Sequence, residues 1–462
     1  MDVKSNTDKV CIIGAGSSGL AAAKTFKERG IPFDCLEREH DLGGLWNEAT
    51  DTGVVYDTTY LVSSRKYTGF DDYPIPEEYP TYPSHRETLA YLRAYAMNFG
   101  ILDRIEFNAK VERAERVKDG WSVQVAGEDA PRFYRALVIA NGHHHVPRIP
   151  EIPGRFSGEI MHSRDYRSVK QLADKRVVVV GSGNSACDIV VDAASVAQRI
   201  YLSMRRGTYF VPKFIFGRPM DGIINFCEKI PMPRWLRNRL YTHWHRLMVG
   251  KNMRYGLPEP EHRIMDAHPT MNTVLPQLAA HGRIGIKPEI TEFAGNKVRF
   301  SDGSEVEADL VVYATGYEIS IPFFDDDLIF GPDKRPLFYL NVFHPEYDDL
   351  FAVGLIQANG SIWRLADYQS QLVASYLVAL AERHGRAAWF NRLKAQGHAS
   401  MEGGAYVPSE RHRLEANYLA YRRQLRRHLK RFGPMAEAEL KSGQLTGAPL
   451  HWSAPAPATR SP

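Results

Sequence analysis

Four cysteines in 462 residues are too few and too scattered to carry this chain's chemistry. Cys11, Cys35, Cys187 and Cys227 form no Cys-x-x-C pair, which argues against a reductase that works through neighbouring redox cysteines. Cys11, Cys35 and Cys187 fall inside strand or helix patterns and read as small core residues. Scattered thiols of this kind suit a reducing cytoplasm. No run of about 18 apolar residues occurs, so no transmembrane helix or membrane anchor is expected. The polar start, Met1 to Asp8, leaves no room for a signal peptide before the first core strand. Charge of one sign is scarce as well. The formal net charge is +4, and without a long basic run it gives no reason to expect a nucleic-acid partner. His143, His144 and His145 are not read as a metal site. Adjacent side chains on an extended segment point apart, and no acid or cysteine stands at ligand spacing.

What the chain does have is ordinary globular composition, with 44% hydrophobic and 24% charged residues, and enough length for two or three domains. Its organising stretch is Lys9 to Leu20. An apolar strand meets Gly14-Ala15-Gly16-Ser17-Ser18-Gly19, a G-x-G-x-x-G turn that opens a helix. The first glycine permits the turn, the second lets backbone approach a pyrophosphate, and the third lets helix pack on strand. Phosphates then sit on the helix N-terminus. A second strand, Phe33 to Leu36, ends at Glu37, 23 residues after Gly14, where an acid would meet a ribose diol.

A Gly-Gly-Leu-Trp turn follows at Gly43 to Trp46, and its glycine pair suggests backbone lying close to a flat ligand. Residues 71–83 are rich in Pro and Tyr and read as irregular. Ser84 with Glu87 is a capping box that opens a helix closed by Gly100. Short strands are expected near 105–107, 111–114, 121–125 and 134–140. A second strand-turn-helix begins at Arg176. Gly181-Ser182-Gly183-Asn184-Ser185-Ala186 is G-x-G-x-x-A, the same device with Ala in third place. Its following strand, Arg199 to Ser203, leads to Met204-Arg205-Arg206. Where the first unit has an acid, the second has two arginines, permanently charged planar donors suited to a 2′-phosphate. The two halves therefore suit different dinucleotides, FAD first and NADP second. Residues near 215–275 read as a helical insertion, and Asp302-Gly303-Ser304 as a hairpin turn. The strand from Asp309 ends in Ala314-Thr315-Gly316-Tyr317. Residues 446–462 read as a mobile tail.

With these motifs in place, the chain resembles the flavin-containing monooxygenases over most of residues 8–380. The most specific motif is Phe156-x-Gly158-x-x-x-His162-x-x-x-Tyr166, whose Tyr166 favours this branch over the related Baeyer–Villiger enzymes. The resemblance implies an α/β fold of two Rossmann-like dinucleotide-binding domains, with the NADP domain inserted into a discontinuous FAD domain. The expected bounds are 1–168 with 300–445 for FAD and 169–299 for NADP, so that strands after Leu310 return to the first domain. It implies FAD and NADPH as cofactors, dioxygen and a small organic molecule as substrates, and is compatible with a homodimer. The implied reaction is oxygenation of a soft nitrogen or sulfur centre through a C4a-hydroperoxyflavin. The alternatives are Baeyer–Villiger oxygenation of a ketone and an uncoupled NADPH oxidase.

The resemblance places Gly14, Gly16, Ser18, Gly19, Glu37, Arg38, Gly44, Leu45, Trp46, Val111 and Gln357 against FAD, and the His143 loop near the flavin. It places Tyr166, Gly181, Ser182, Gly183, Asn184, Ser185, Ser203, Arg205 and Arg206 against NADP. One departure stands out. Many members carry an Asn that helps to hold nicotinamide and peroxide, and its place falls here on Val62, which cannot hydrogen-bond through its side chain. Ser63 or Ser64 takes the role if the register slips. No acid–base catalytic residue is assigned, because the hard chemistry belongs to the flavin.

Overall fold

The structure, a computed structural model, describes residues 8–267, 269–382, 385–397 and 413–433. Residues 446–462, expected to be mobile, lie outside them. Ten strands build two five-stranded parallel sheets. In chain order they are β1 (Val10–Ile13), β2 (Phe33–Leu36), β3 (Ile105–Glu106), β4 (Ala136–Ile139), β5 (Glu159–His162), β6 (Arg176–Val180), β7 (Arg199–Ser203), β8 (Gly285–Lys287), β9 (Leu310–Tyr313) and β10 (Leu350–Ala352). The first sheet has the order β10-β4-β1-β2-β3, the second β5-β9-β6-β7-β8. All residues of β1, β4 and β9 are buried, as parallel strands covered on both faces must be. The second sheet lies in sequence wholly between β4 and β10.

Two strands correct the expected segment bounds. β9 pairs with both β5 and β6, so Leu310 to Tyr313 belongs to the second sheet and does not return to the first. β5, expected in the first unit, belongs to the second as well. A short run of buried apolar residues reads alike in either sheet, and only the pairing decides. The return comes later, through Tyr317–Glu318, which pairs antiparallel with Val146–Pro147, and the first sheet is completed by β10 on β4.

The helices that position the site are α1 (Ser17–Glu28), α2 (His85–Asn98), α3 (Asn184–Val196), α4 (Met220–Cys227), α5 (Arg234–Met248), α6 (Ile362–Ala381) and α7 (Tyr418–Phe432). α2 begins with the full capping box of Ser84 and Glu87 and stops before Gly100 at φ +57°. α4 and α5 form the helical insertion. Cys11, Cys35 and Cys187 are buried, and none of them forms a disulfide among the described residues.

One buried charge ties the first unit together. Lys24 on α1 is 2% exposed and meets Asp72 at 2.5 Å and Asp367 of α6 at 2.9 Å. Burial pulls its pKa down, and the two carboxylates more than reverse this, so the ammonium stays charged. Around it, Tyr91 stacks on Trp363 at 5.7 Å and Phe70 packs on Tyr95 at 4.3 Å. Arg364 donates to Gly69 O at 2.6 Å and Ser361 to Thr68 O at 2.6 Å. These contacts fix residues 61–75 between α2 and α6. Removing one partner of a buried ion cluster costs about 3–5 kcal/mol, because the other charge is left uncompensated. Lys24→Met therefore lowers the melting temperature of the flavin-loaded protein by several degrees. An unchanged melting temperature would show that the cluster contributes nothing.

Candidate active site

Each sheet ends in a glycine turn that opens a helix. Gly14 has φ +107°, and a Cβ there would lie 2.7 Å from Ala140 O. A Cβ at Gly19 would lie 1.8 Å from Gly14 O, so both positions are closed to side chains. Gly16 differs. Its nearest neighbour would be Gly44 Cα at 3.8 Å, an ordinary contact, so packing does not close this position to a side chain. The second turn repeats this. Gly181 has φ +133°, with Ala314 O 2.4 Å from a hypothetical Cβ, whereas a Cβ at Gly183 would meet nothing within 4 Å. Protein packing does not require glycine at position 183; open backbone there is what a phosphate-binding turn uses.

Neither helix start is capped by the protein. α1 and α3 have no side-chain cap and no acid in their first turns. Their leading amides and positive dipole ends are left for an anion. The strand that follows each helix ends differently. Glu37, 5% exposed, accepts from Ala15 N at 2.6 Å and Glu39 N at 3.0 Å. Burial pushes its carboxyl up, and the two amides act against this. Each oxygen retains a lone pair for a diol. Arg205 and Arg206 are exposed and make no ion pair or hydrogen bond among the described residues.

The other residues expected at the first turn divide into those that touch it and those that do not. Gly43 donates to Ala15 O at 3.1 Å, which folds the Gly44–Trp46 turn, with Leu45, over the glycine loop. Trp46 meets Trp363 edge-on at 6.3 Å. Ser18 faces Gly354, where an added Cβ would lie 2.0 Å from its Oγ. Val111 is buried just beyond Ala109, whose amide donates to Glu37 O at 2.8 Å. Arg38 is exposed and pairs with Glu39 at 3.3 Å. Gln357 stands apart, in the short parallel pair with Glu415–Ala416, and donates to Leu414 O at 2.7 Å. Among the described residues, no group of three or more His, Cys, Asp or Glu side chains could hold a metal.

At the second turn the end of the insertion closes over the loop. Thr270 donates to Ser182 O at 2.9 Å, and Met271 N to Asn184 Oδ1 at 3.0 Å. Ser185 faces Tyr56. Ser203 is buried, and its hydroxyl donates to Pro288 O at 2.7 Å. Tyr166 is fully buried and donates to Asp192 Oδ2 at 2.9 Å, so it braces α3.

Motif reasoning did not single out the carboxylates of the junction between the two units. On α3, Asp188 accepts from Tyr56 at 3.0 Å and Asp192 from Thr58 at 2.6 Å. On α4, Asp221 accepts from Ser64 N at 2.6 Å and Ser64 Oγ at 3.0 Å. Lys213 reaches Leu61 O at 3.4 Å and lies over the Tyr82 ring at 5.0 Å. Of the three pocket candidates, Val62 is 46% exposed, Ser63 shares a hydrogen bond with Thr68 at 2.7 Å, and buried Ser64 is taken by Asp221. Acids one and two turns into α3 were visible in the sequence, but nothing there said that they face Tyr56 and Thr58, more than 130 positions earlier.

Two dinucleotide-type turns on nested parallel sheets define the class of this protein: a fold with two Rossmann-like dinucleotide-binding units. The flavin-binding monooxygenase-like family model matches residues 7–444, and the chain belongs to that family. Flavin-containing monooxygenase 5 of Oryctolagus cuniculus is 31% identical over 439 residues, 89% of this chain and 80% of that one. Dimethylaniline monooxygenase [N-oxide-forming] 2 of Macaca mulatta is 29% identical over 89% of this chain and 81% of its own. The structure of S-allyl-L-cysteine S-oxygenase from Allium sativum shares the fold with TM-score 0.61 at 21% identity, covering 95% and 94% of the two chains. That of cyclohexanone monooxygenase does so with TM-score 0.63 at 19% identity, covering 82% and 89%. The chain is thus an oxidoreductase that uses FAD, NADPH and dioxygen. No helix among the described residues is long and apolar enough to cross a membrane.

The junction has a pH signature. Burial pushes the Asp188 carboxyl up to about 6, against Tyr56 and Lys213. A carboxyl whose folded pKa exceeds its unfolded value of about 3.9 destabilises the fold as it ionises. The penalty is absent at low pH, grows between about 4 and 6, and is complete above. Asp188→Asn therefore gains up to about 3 kcal/mol at pH 8 and little at pH 4, read by thermal unfolding at both pH values. A gain that does not vary with pH would contradict this.

Proposed function

We propose that FAD lies on the turn at Gly14 to Gly19, NADPH on the turn at Gly181 to Ala186, and that the enzyme oxygenates a soft nitrogen or sulfur centre of a small organic molecule. The observation that carries the reading is the contrast at corresponding strand ends: a buried acid, Glu37, after β2, and after β7 two exposed arginines, Arg205 and Arg206, that make no ion pair or hydrogen bond among the described residues. An acid suits the ribose diol of FAD and repels a 2′-phosphate, whereas a guanidinium pair attracts it. The FAD unit comprises β1 to β4 with β10, α1, α2, α6 and α7. The NADP unit runs from about Gly154 to Ala314.

Bound FAD supplies hydride acceptance and oxygen activation, chemistry that side chains do not provide. The chain's own part is to hold and enclose. Bare amides at the starts of α1 and α3 take the pyrophosphates. The turn at Gly44 to Trp46 covers the flavin side, and Thr270 and Met271 cover the nicotinamide dinucleotide. Tyr56, Thr58 and Ser64 hold the 56–68 segment against α3 and α4, which fixes Val62 and Ser63 beside the reacting region. Nitrogen or sulfur as the target is supported by the family motif ending in Tyr166 and by relatives named for N-oxide and S-oxygenation.

Products separate the readings. With an aryl methyl sulfide and NADPH, the protein should yield sulfoxide, with less hydrogen peroxide released than NADPH consumed. With a cyclic ketone it should yield no lactone. Lactone without sulfoxide would overturn nitrogen or sulfur as the target. Peroxide equal to NADPH with no organic product would overturn oxygenation itself.

A further inference from the structure

α5 turns its polar side inward. Its buried residues are Asn238 and His245, tied to Asp266 at 2.6 Å and Phe210 O at 2.7 Å, while Leu240, Trp244, Leu247 and Met248 are exposed. Beside Asn238 lies a cavity of about 160 Å³ between the first turns of α5 and α7, and its polar wall is Glu228, Arg234, Arg237, Asn238 and Arg423 with Asn417. The two helices belong to different units. α5 is part of the insertion after β7, and α7 packs on α6 of the first unit.

Three guanidinium groups meet one carboxylate in this cavity. Burial pushes the Glu228 carboxyl up, and Arg237, Arg423 and Arg234 act against this from both helices. One acid does not balance three cations. Arg237 is held in place by its own backbone neighbours, donating through Nη2 to Ile230 O at 2.8 Å and Met232 O at 3.4 Å. Arg234 donates through Nη2 to Met265 O at 3.2 Å. Arg423 makes no hydrogen bond or close ion pair among the described residues. Neither helix has an acid in its first turn, so both helix dipoles add positive potential at the same place.

We propose that this cavity binds a small soluble dianion of the class of inorganic phosphate or a phosphate monoester, and that the bound anion ties the insertion to α7. Planar N–H forks arriving from two helices match an anion that presents oxygens on several sides. A dianion balances the excess of three guanidinium groups over one carboxylate, whereas a monocarboxylate leaves one cation uncompensated. Because α5 and α7 belong to different units, the anion bridges them without touching either glycine turn. The proposal does not depend on where the two dinucleotides bind or on which atom the enzyme oxygenates.

The test is titration calorimetry and thermal unfolding of the full-length protein with inorganic phosphate, at an ionic strength held constant with chloride. FAD and NADP+ are present throughout, so that the phosphate sites of the two turns are filled. Phosphate should bind saturably at one site and raise the melting temperature by a few degrees. Arg237→Gln with Arg423→Gln should weaken binding at least about tenfold. Arg423→Gln alone, which removes no hydrogen bond to a described residue, should weaken it in the same direction. Arg426→Gln with Arg427→Gln, exposed on the same helix but outside the cavity, should leave it unchanged. All variants should keep NADPH-driven flavin reduction, which reports that they are folded. Binding that does not saturate would show an adventitious ion only and overturn the proposal, as would no binding at all. Binding retained by both cavity variants overturns the assigned cavity. Equal loss in the Arg426 and Arg427 variant would assign the effect to diffuse surface charge and overturn a built site.

Discussion

Backbone that must come close to a phosphate governs this molecule. Each dinucleotide turn needs a glycine at positive φ tucked against a strand-end carbonyl, Ala140 O for Gly14 and Ala314 O for Gly181. Those carbonyls belong to residues that follow β4 and β9. The same two chain ends lead straight into the connections between the units, where Tyr317–Glu318 pairs with Val146–Pro147 and Asn141 donates to Ser320 O at 3.1 Å. The residues that shape both turns are thus continuous with the residues that join the two units. A shift of one unit against the other would act on both turns at once.

The second constraint is the carboxylate junction. Asp188 and Asp192 on α3 and Asp221 on α4 receive hydroxyl or amide hydrogens from Tyr56, Thr58 and Ser64. All three donors lie on the irregular segment before α2, and Tyr166 braces Asp192 from behind. These bonds hold a loop with no regular structure of its own where the proposed reaction needs it.

The parts of this fold legible in the sequence were the local ones. Glycine spacing, the Ser84–Glu87 capping box, the Asp302–Ser304 hairpin and the acid-versus-arginine contrast all depend on residues close in the chain. What was not legible depends on pairing between distant segments. β5 and β9 were expected in the first unit, because four buried residues carry no mark of which sheet they join. The fingerprint residue Tyr166, expected beside NADP, uses its hydroxyl on Asp192, a contact that spacing does not reveal. Nothing in local spacing marks Gln369. It accepts from Gly354 N at 2.8 Å and donates to Tyr421 at 2.8 Å, which links α6, α7 and the strand end facing Ser18. The inside-out pattern of α5 also needs the structure, since a helix with apolar residues on one face normally reads as burying that face.

The central claim is that the second glycine turn holds NADPH and delivers its hydride to flavin on the first. Anaerobic rapid mixing of the FAD-loaded protein with NADPH or NADH, followed by flavin absorbance, tests it most directly. The account predicts bleaching by NADPH at concentrations at least about tenfold lower than by NADH, a preference lost in Arg205→Ala with Arg206→Ala. Gly183→Ala, where an added methyl meets no protein atom within 4 Å, should fold, keep its flavin and bind NADPH more weakly. No bleaching by NADPH, or bleaching unaffected by all three substitutions, would contradict the account.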